Sequence, residues 1–243
     1  MVLTGAWGDV AALVETVLPR RCAACGGPGG PLCPPCSVAV LATRHPGGAR
    51  LVRPDPCPVG LPPTVATARL EAPLRGLLTA YKDADRRDLA PVLAGLLAEA
   101  MRVSGEVDLI VPVPASRRSR RRRGDRPLEL LCLLAARTLP GRVRILRALQ
   151  PRRATRDQSG LDRRARADNV RDSMQLHPGA RCPAGARVLL VDDIVTTGAT
   201  LVEGSRALAE GGLVVRAAVI AATTRTRLSG AGMPTSVGSW KPP

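Results

Sequence analysis

Two sets of residues in this chain have the types and spacing to do chemistry. The first lies in residues 187–201, RVLLVDDIVTTGATL, where the apolar run Val188 to Val191 stops at two adjacent carboxylates, Asp192 and Asp193. A small, hydroxyl-rich stretch follows: Thr196, Thr197, Gly198, Ala199 and Thr200. Ionised carboxylates only accept hydrogen bonds, so an adjacent pair suits the vicinal hydroxyls of a sugar better than a phosphate. The low side-chain bulk at 196–200 lets backbone N–H groups converge on an anion. The apolar pattern from Ala199 to Leu208 predicts a helix, whose N-terminal donors and dipole both favour phosphate. The acidic pair and the loop thus separate the two ends of a ribose 5-phosphate. The same order of strand, Asp-Asp, loop and helix also fits a metal site or an ordinary βα turn, but the spacing and the TTGAT composition favour the sugar phosphate.

The second set is Cys22, Cys25, Cys33 and Cys36, two Cys-x-x-Cys pairs separated by seven residues. Two such knuckles can place four thiolates tetrahedrally around one Zn²⁺. Gly26 and Gly27 permit the tight turn in which backbone N–H groups support sulfur. Pro34 and Pro35 depart from the usual pattern, because they remove two such donors. Redox or disulfide cysteines are the competing reading. Zinc here would act as a staple for a segment too small and too rich in Gly and Pro to fold alone. Cys57 and Cys182 have no obvious partners, and Cys132, in the run LELLCLLAA, reads as core.

Buried strands must position the acidic pair. Val188 to Val191 is a short, continuous apolar run, as in a strand covered on both faces of a parallel sheet. Leu109 to Val113 and Leu213 to Ala222 read the same way, the latter as a last buried strand. Helices are expected from Asp88, as N-cap, to about Met101, from Pro127 to Thr138, and over Asp9 to Val17. Alternating strands and helices predict an α/β fold with a mostly parallel sheet. The 243 residues fit one ordinary domain with an appendage. Pro46 to Pro63 reads as a connector. Composition therefore suggests a module at 1–66, a main domain at 67–228 and a polar tail at 229–243. Hydrophobic residues make up 45% of the chain without any Phe, so the core must be built from Leu, Val, Ala and Ile. No run approaches the roughly 18 apolar residues of a membrane span. The arginines of the N-terminal stretch follow its apolar part, with no cleavage-like site, which predicts a cytoplasmic protein with reduced thiols. His45 and His177, in loops flanked by Pro and Gly, read as surface residues.

Several segments together resemble a known family. VLLVDDIVTTGATL is similar to the phosphoribosyl pyrophosphate motif of type I phosphoribosyltransferases. A pair of zinc knuckles ahead of such a domain resembles the ComF family, whose members are associated with bacterial competence for DNA uptake. Tyr81-Lys82 stands where that family has a similar element. DLIVPVPASRRSRRRRG, from Asp108 to Gly124, resembles its VPVP strand end and arginine-rich loop. RRATRDQSGLDRRARADNV carries Arg153, Thr155, Gln158, Leu161, Arg166 and Asn169 at matching spacing. Where the family has Arg-Gly-Phe-Asn-Gln, this chain reads Arg123, Gly124, Asp125, Arg126, Pro127, which removes whatever contact the last three residues make to an acceptor. Of a second cysteine cluster only Cys57, with Gly60, is left as a remnant, so one zinc is expected rather than two.

The resemblance implies a fold of the type I phosphoribosyltransferase kind with a small N-terminal zinc-binding module. It implies phosphoribosyl pyrophosphate as ligand, with Mg²⁺ bridging hydroxyls and pyrophosphate. The 5-phosphate would rest on Thr196, Thr197, Gly198, Ala199 and Thr200. The pyrophosphate would rest on Pro112, Val113, Pro114, Ala115, Ser116 and Arg117, with Lys82 and the loop bearing Arg153, Thr155, Gln158, Arg166 and Asn169. Asp192 or Asp193 would stabilise the cationic sugar formed when the anomeric bond breaks. The acceptor is unreadable. Nucleobase sites often stack the base on an aromatic ring, and this chain offers only Tyr81, Trp7 and Trp240.

Charge is concentrated. The chain carries 36 basic and 20 acidic residues, for a net +16. Residues 117–126 hold a net +6 and residues 147–171 a net +5. Three readings compete: a solvated surface swollen by compositional bias, a pyrophosphate site, or binding of nucleic acid through its phosphates. Six arginines in seven positions, Arg117, Arg118 and Arg120, Arg121, Arg122 and Arg123, exceed what one pyrophosphate can contact. With so few aromatics, any binding of single-stranded DNA would be electrostatic and indifferent to sequence. Two function classes follow: a Mg²⁺-dependent transferase, or a non-catalytic protein that binds nucleic acid or a DNA-uptake partner and senses phosphoribosyl pyrophosphate.

Overall fold

Where apolar residues run continuously the chain forms buried parallel strands, and where they recur three or four apart it forms helices packed on them. The computed structural model describes residues 21–115, 126–141, 143–152, 172–222 and 226–228. The helix expected over 9–17 and the tail at 229–243 lie outside the described residues.

The described residues fall into two compact units, 21–43 with 71–89, and 44–70 with 90–228. The first holds the four cysteines and two helices, α1 (Pro34–Leu41) and α2 (Leu74–Asp83). Leu74, Leu77, Leu78 and Tyr81 recur at helical spacing and form the buried side of α2. A 3-10 turn, Arg87–Leu89, follows. There the Arg87 guanidinium lies 4.8 Å above the Tyr81 ring and also donates to the Tyr81 carbonyl.

The second unit runs β1 (Arg50–Pro54), β2 (Thr64–Arg69), α3 (Ala90–Val103), β3 (Leu109–Pro112), α4 (Pro127–Ala136), β4 (Arg144–Ile145), β5 (Leu149–Pro151) and β6 (Met174–Leu176). It continues with β7 (Arg187–Val191), β8 (Ile194–Val195), α5 (Ala199–Ala209), β9 (Val214–Ala222) and β10 (Thr226–Leu228). The main sheet has the order β10-β1-β2-β9-β7-β3-β4, with β8 also on β9. From β2 to β4 every pairing is parallel, and only β1 and β10 run against their neighbours. The α/β expectation therefore holds, with an antiparallel margin.

Successive residues of each strand face opposite sides. Val111, Val188, Leu190, Ala217 and Val219 join Leu201 and Leu208 of α5 in one cluster. Thr67 faces the other side, where its hydroxyl donates to the carbonyl of Leu96 on α3 at 2.6 Å. α3 and α4 pack against each other there. Burial on both faces explains why these strands read as unbroken apolar runs.

Three expectations need correction. The boundary at residue 66 falls inside β2. The stretch read as a connector contains β1, whose Leu51 pairs with Val65, while 71–89 belong with the cysteines. Composition registers the prolines of the turn between β1 and β2, but backbone pairing continues on both sides of it. The helix expected from Asp88 begins at Ala90, after the 3-10 turn. His45 is buried, because its N–H donates to the Thr67 carbonyl at 2.9 Å beside the Arg44–Ala68 bridge. β10 follows β9 in sequence and pairs with β1.

One buried charge ties the β5–β6 hairpin to α5. Glu203, 3% exposed, accepts from the Met174 N–H at 2.8 Å and from Arg206 at 2.8 and 2.9 Å. Arg206 in turn donates to the Met174 carbonyl at 2.9 Å. Burial alone would raise the Glu203 carboxyl, but hydrogen bonds from Arg206 and the Met174 N–H outweigh it and hold the group below the ordinary Glu range. Removing Glu203 would leave a buried N–H and part of a guanidinium without their acceptor. Glu203→Ala is expected to lower stability by about 3 kcal/mol in urea unfolding. Because the folded carboxyl is held low, its contribution is complete at neutral pH and is lost as pH falls below about 4. The stability difference between wild type and variant should therefore shrink on acidification.

Candidate functional site

Asp192 and Asp193 sit immediately beyond β7, at the carboxyl edge of the parallel strands, where ligands of open α/β sheets bind. Their placement is set by backbone bonds to β9. The Asp192 N–H donates to the Ala218 carbonyl at 3.2 Å, and the Asp193 carbonyl accepts from Ile220 and Ala221 at 3.1 and 3.2 Å. The Asp193 N–H donates to Asp192 Oδ1 at 2.9 Å, which ties the Asp192 carboxylate to the next peptide. Asp193 is nearly buried and Asp192 half-buried.

The next strand over brings in the second expected element. Pro112 pairs with Val191, and the Val113 N–H donates to the Val191 carbonyl at 2.8 Å. Pro112, Val113, Pro114 and Ala115 therefore leave β3 beside the acidic pair. Ser116, Arg117 to Arg123, and the segment carrying Arg153, Thr155, Gln158, Arg166 and Asn169 lie outside the described residues. Lys82 is in the first unit, on the last turn of α2. Tyr81 is buried, so its ring is not offered for stacking, and Trp7 and Trp240 lie outside the described residues.

Thr196 and Thr197 are exposed and lead into Gly198, the N-cap of α5. Gly198 has φ +78, a left-handed conformation that costs any other residue strain, and it provides no side-chain cap to the first turn. A Cβ there would lie 2.8 Å from Leu61 and 3.2 Å from Pro58. The turn between β1 and β2 thus packs directly on the loop, a contact that its Pro-rich composition gave no reason to expect. Ala199 N–H contacts the Thr197 hydroxyl at 3.4 Å. The loop presents hydroxyls and helix-terminal N–H groups on one exposed edge, an arrangement suited to an anion.

The four cysteines converge in the first unit, with their sulfurs all within 4.8 Å of one another. Cys25 and Cys33 sulfurs are 3.7 Å apart. A tetrahedral Zn²⁺ with bonds of about 2.3 Å would space its sulfurs about 3.8 Å apart, so the donor set fits that ion. Cys22 N–H donates to the Gly27 carbonyl and Gly26 N–H to the Cys22 carbonyl, both at 2.9 Å, which closes the first knuckle with Gly26 at φ +73. The prolines of the second knuckle prove harmless. They open α1, where first-turn N–H groups have no partner within the helix.

The thiols do not titrate alike. Burial would raise Cys22, but backbone N–H groups of Cys33, Cys25 and Ala24 and the Cys25 thiol bring it down to about 6. Cys36 is pushed up to about 12, first by its hydrogen bond with Cys33, then by burial and by the other two sulfurs. One sulfur ionises readily and the last resists, as expected of thiols whose joint ionisation requires a cation. Elemental analysis of the full chain should find one zinc. Cys22→Ser with Cys36→Ser should abolish it, and retention of stoichiometric zinc in that variant would refute the assignment.

Among the described residues no helix is long and apolar enough to cross a membrane. Residues 152–237 match the model for the phosphoribosyl transferase domain. The chain is 32% identical over 187 residues to DNA utilization protein YhgH of Escherichia coli, covering 74% of this chain and 79% of that protein. Among solved structures it is similar to adenine phosphoribosyltransferase from Thermoanaerobacter pseudethanolicus, with 17% identity, a TM-score of 0.36, and 60% of this chain and 85% of that one covered. The allosteric regulatory enzyme of purine biosynthesis is 20% identical with a TM-score of 0.35. There 54% of this chain is covered, and it spans only 26% of that one. With its paired cysteines, phosphoribosyltransferase-like sheet and an extended match to a DNA utilization protein, this chain belongs to the ComF family.

Proposed function

We propose that this protein binds phosphoribosyl pyrophosphate with Mg²⁺ and acts as a phosphoribosyltransferase-like protein in DNA uptake or utilisation. The observation that carries this reading is the juxtaposition, on one sheet edge, of an acidic pair, Asp193 buried and Asp192 half-buried, and a hydroxyl-lined helix N-terminus without a side-chain cap at Gly198. The 5-phosphate is assigned to the N–H groups and hydroxyls of 196–200, and the ribose hydroxyls to Asp192 and Asp193. The pyrophosphate is assigned to the backbone of Pro112 to Ala115, with arginines of the following run. Mg²⁺ bound with the ligand would neutralise part of its charge and make pyrophosphate a better leaving group. The chain's own contribution is to orient the sugar and to set negative charge beside the anomeric carbon as it becomes cationic. With Tyr81 buried, the described residues supply no ring on which an acceptor base would stack.

Asp192→Asn with Asp193→Asn is expected to weaken phosphoribosyl pyrophosphate binding by several kcal/mol in isothermal titration, at about 1.5–3 kcal/mol per bond to a charged group. Unchanged affinity in a folded double variant would sink the assignment.

A second reading, a non-catalytic protein that binds nucleic acid and senses the sugar phosphate, is favoured by the six arginines within 117–123 and by the name of the Escherichia coli relative. Under it the protein binds single strands of any sequence, with log affinity falling against log salt by about 0.7 per neutralised phosphate. Replacing Arg120, Arg121, Arg122 and Arg123 with Ser should flatten that slope by roughly two to three units. Loss of sugar-phosphate binding in this variant, with no DNA binding in the wild type, would assign the run to pyrophosphate and leave the transferase reading alone.

A further inference from the structure

Arg86 contacts the backbone segments that lead into Cys22 and Cys33. Its Nη2 donates to the carbonyl of Arg21 at 3.0 Å, one residue before Cys22, and reaches the carbonyl of Pro31 at 3.5 Å, two before Cys33. The Pro31 carbonyl also accepts from the Ala23 N–H at 2.9 Å, so the two chain segments that deliver the sulfurs meet where the guanidinium sits. On its other side Arg86 is gripped by Asp88, with Nε to Oδ1 at 2.9 Å and Nη2 to Oδ2 at 2.8 Å. That grip is two-pronged and partly shielded from solvent, with side-chain exposures of 27% and 10%. Its aim is thereby fixed from the segment that follows α2.

Four thiolates around a divalent ion leave a net charge of −2, and a partly desolvated negative charge is stabilised by a cation held nearby. The guanidinium is bonded to the carbonyl of the residue before Cys22, which places a fixed positive charge on the chain segment that carries that sulfur. Its planar fork can serve a carboxylate and backbone carbonyls together, which the point charge of a lysine cannot do.

We infer that Arg86 is the outer brace of the metal centre: it holds the two cysteine segments so that the four sulfurs converge, and couples metal occupancy to the order of residues 71–89. The inference rests on the four cysteines forming a metal centre and is independent of the sugar-phosphate site. Outer-shell partners of this kind change metal affinity by about 10–100-fold when removed.

The test titrates full-length protein with Co²⁺ and Zn²⁺ against a competing chelator. Arg86→Met and Arg86→Lys should both bind metal at least tenfold more weakly while retaining the visible bands of tetrahedral cobalt thiolate. In wild type, chelation should raise amide exchange across α2 and the turn after it, and in Arg86→Lys that segment should exchange fast with or without metal. If Arg86→Met does not fold, Asp88→Asn, which loosens the grip without touching the knuckles, should still weaken metal binding severalfold. Wild-type affinity in Arg86→Lys would show that charge alone suffices and would overturn the brace, as would wild-type affinity in Asp88→Asn. A wild-type chain without tetrahedral cobalt bands would overturn the metal centre and the brace with it, while leaving the sugar-phosphate reading to its own test.

Discussion

Everything at the candidate site depends on β7 being held on both sides by parallel partners. Pro112 and Ala218 flank Val191 in register, so the strand cannot slip without exchanging its two buried faces. The next two residues are then fixed before their side chains are considered. The bond from Asp192 to Ala218, and the Asp193 carbonyl shared between Ile220 and Ala221, leave the carboxylates at the strand end. After β8 the chain must turn sharply into α5, and Gly198 makes that turn in a backbone conformation that other residues rarely adopt. The space a side chain would take there is filled by Leu61 and Pro58, so the loop is packed on that side, while Thr196 and Thr197 are exposed.

How much of this was legible depended on whether the signal was local. The strand, the acidic pair and the helix from Ala199 are contiguous in sequence, and each follows from side-chain bulk, periodicity or glycine content. The cysteine pairs are likewise a spacing signal. The turn between β1 and β2 was misread because its prolines mark a loop without indicating that strands flank it. Glu203 and Arg206 form an i, i+3 pair that looks like ordinary solvent-facing helix charge. Only the fold brings the Met174 backbone between them and buries the acid. His45 was misassigned for a related reason: loop composition says nothing about the backbone bridge that draws that residue into the interior.

The first unit poses a different physical problem. α1 has eight residues and α2 ten, and short helices gain little from propensity alone. α2 presents a continuous buried side through Leu74, Leu77, Leu78 and Tyr81, whereas the only buried residue of α1 is Val40. The cysteine segment is therefore the part that most needs cross-links. A metal ion would supply four at once, and the sulfurs, all within 4.8 Å of one another, are already close enough to feel one another's charge.

Internal pairing also decides where the excess positive charge can act. Arg44, Arg86, Arg126, Arg187 and Arg206 each hold an acid at 2.5–2.9 Å, so part of the chain's basic content is engaged in positioning. Two arginines counted in the 147–171 segment are engaged in the same way: Arg147 pairs with Glu129 at 2.7 Å, and Arg152 lies 3.7 Å from Asp172. Since the local excess there is +5 on paper and Glu129 lies outside the segment, the charge it can offer a polyanion is smaller than the sequence count. Exposed pairs of this kind are individually weak, yet each lowers the local potential that an approaching phosphate feels. The run at 117–123 contains no acid at all, and the first acid after it is Asp125. If a nucleic acid is drawn to this protein by charge, that run offers six arginines in seven positions with no acid among them. In sequence it begins two residues after Ala115, so a sugar phosphate at the end of β3 and a polyanion on the run would draw on adjoining stretches of the chain.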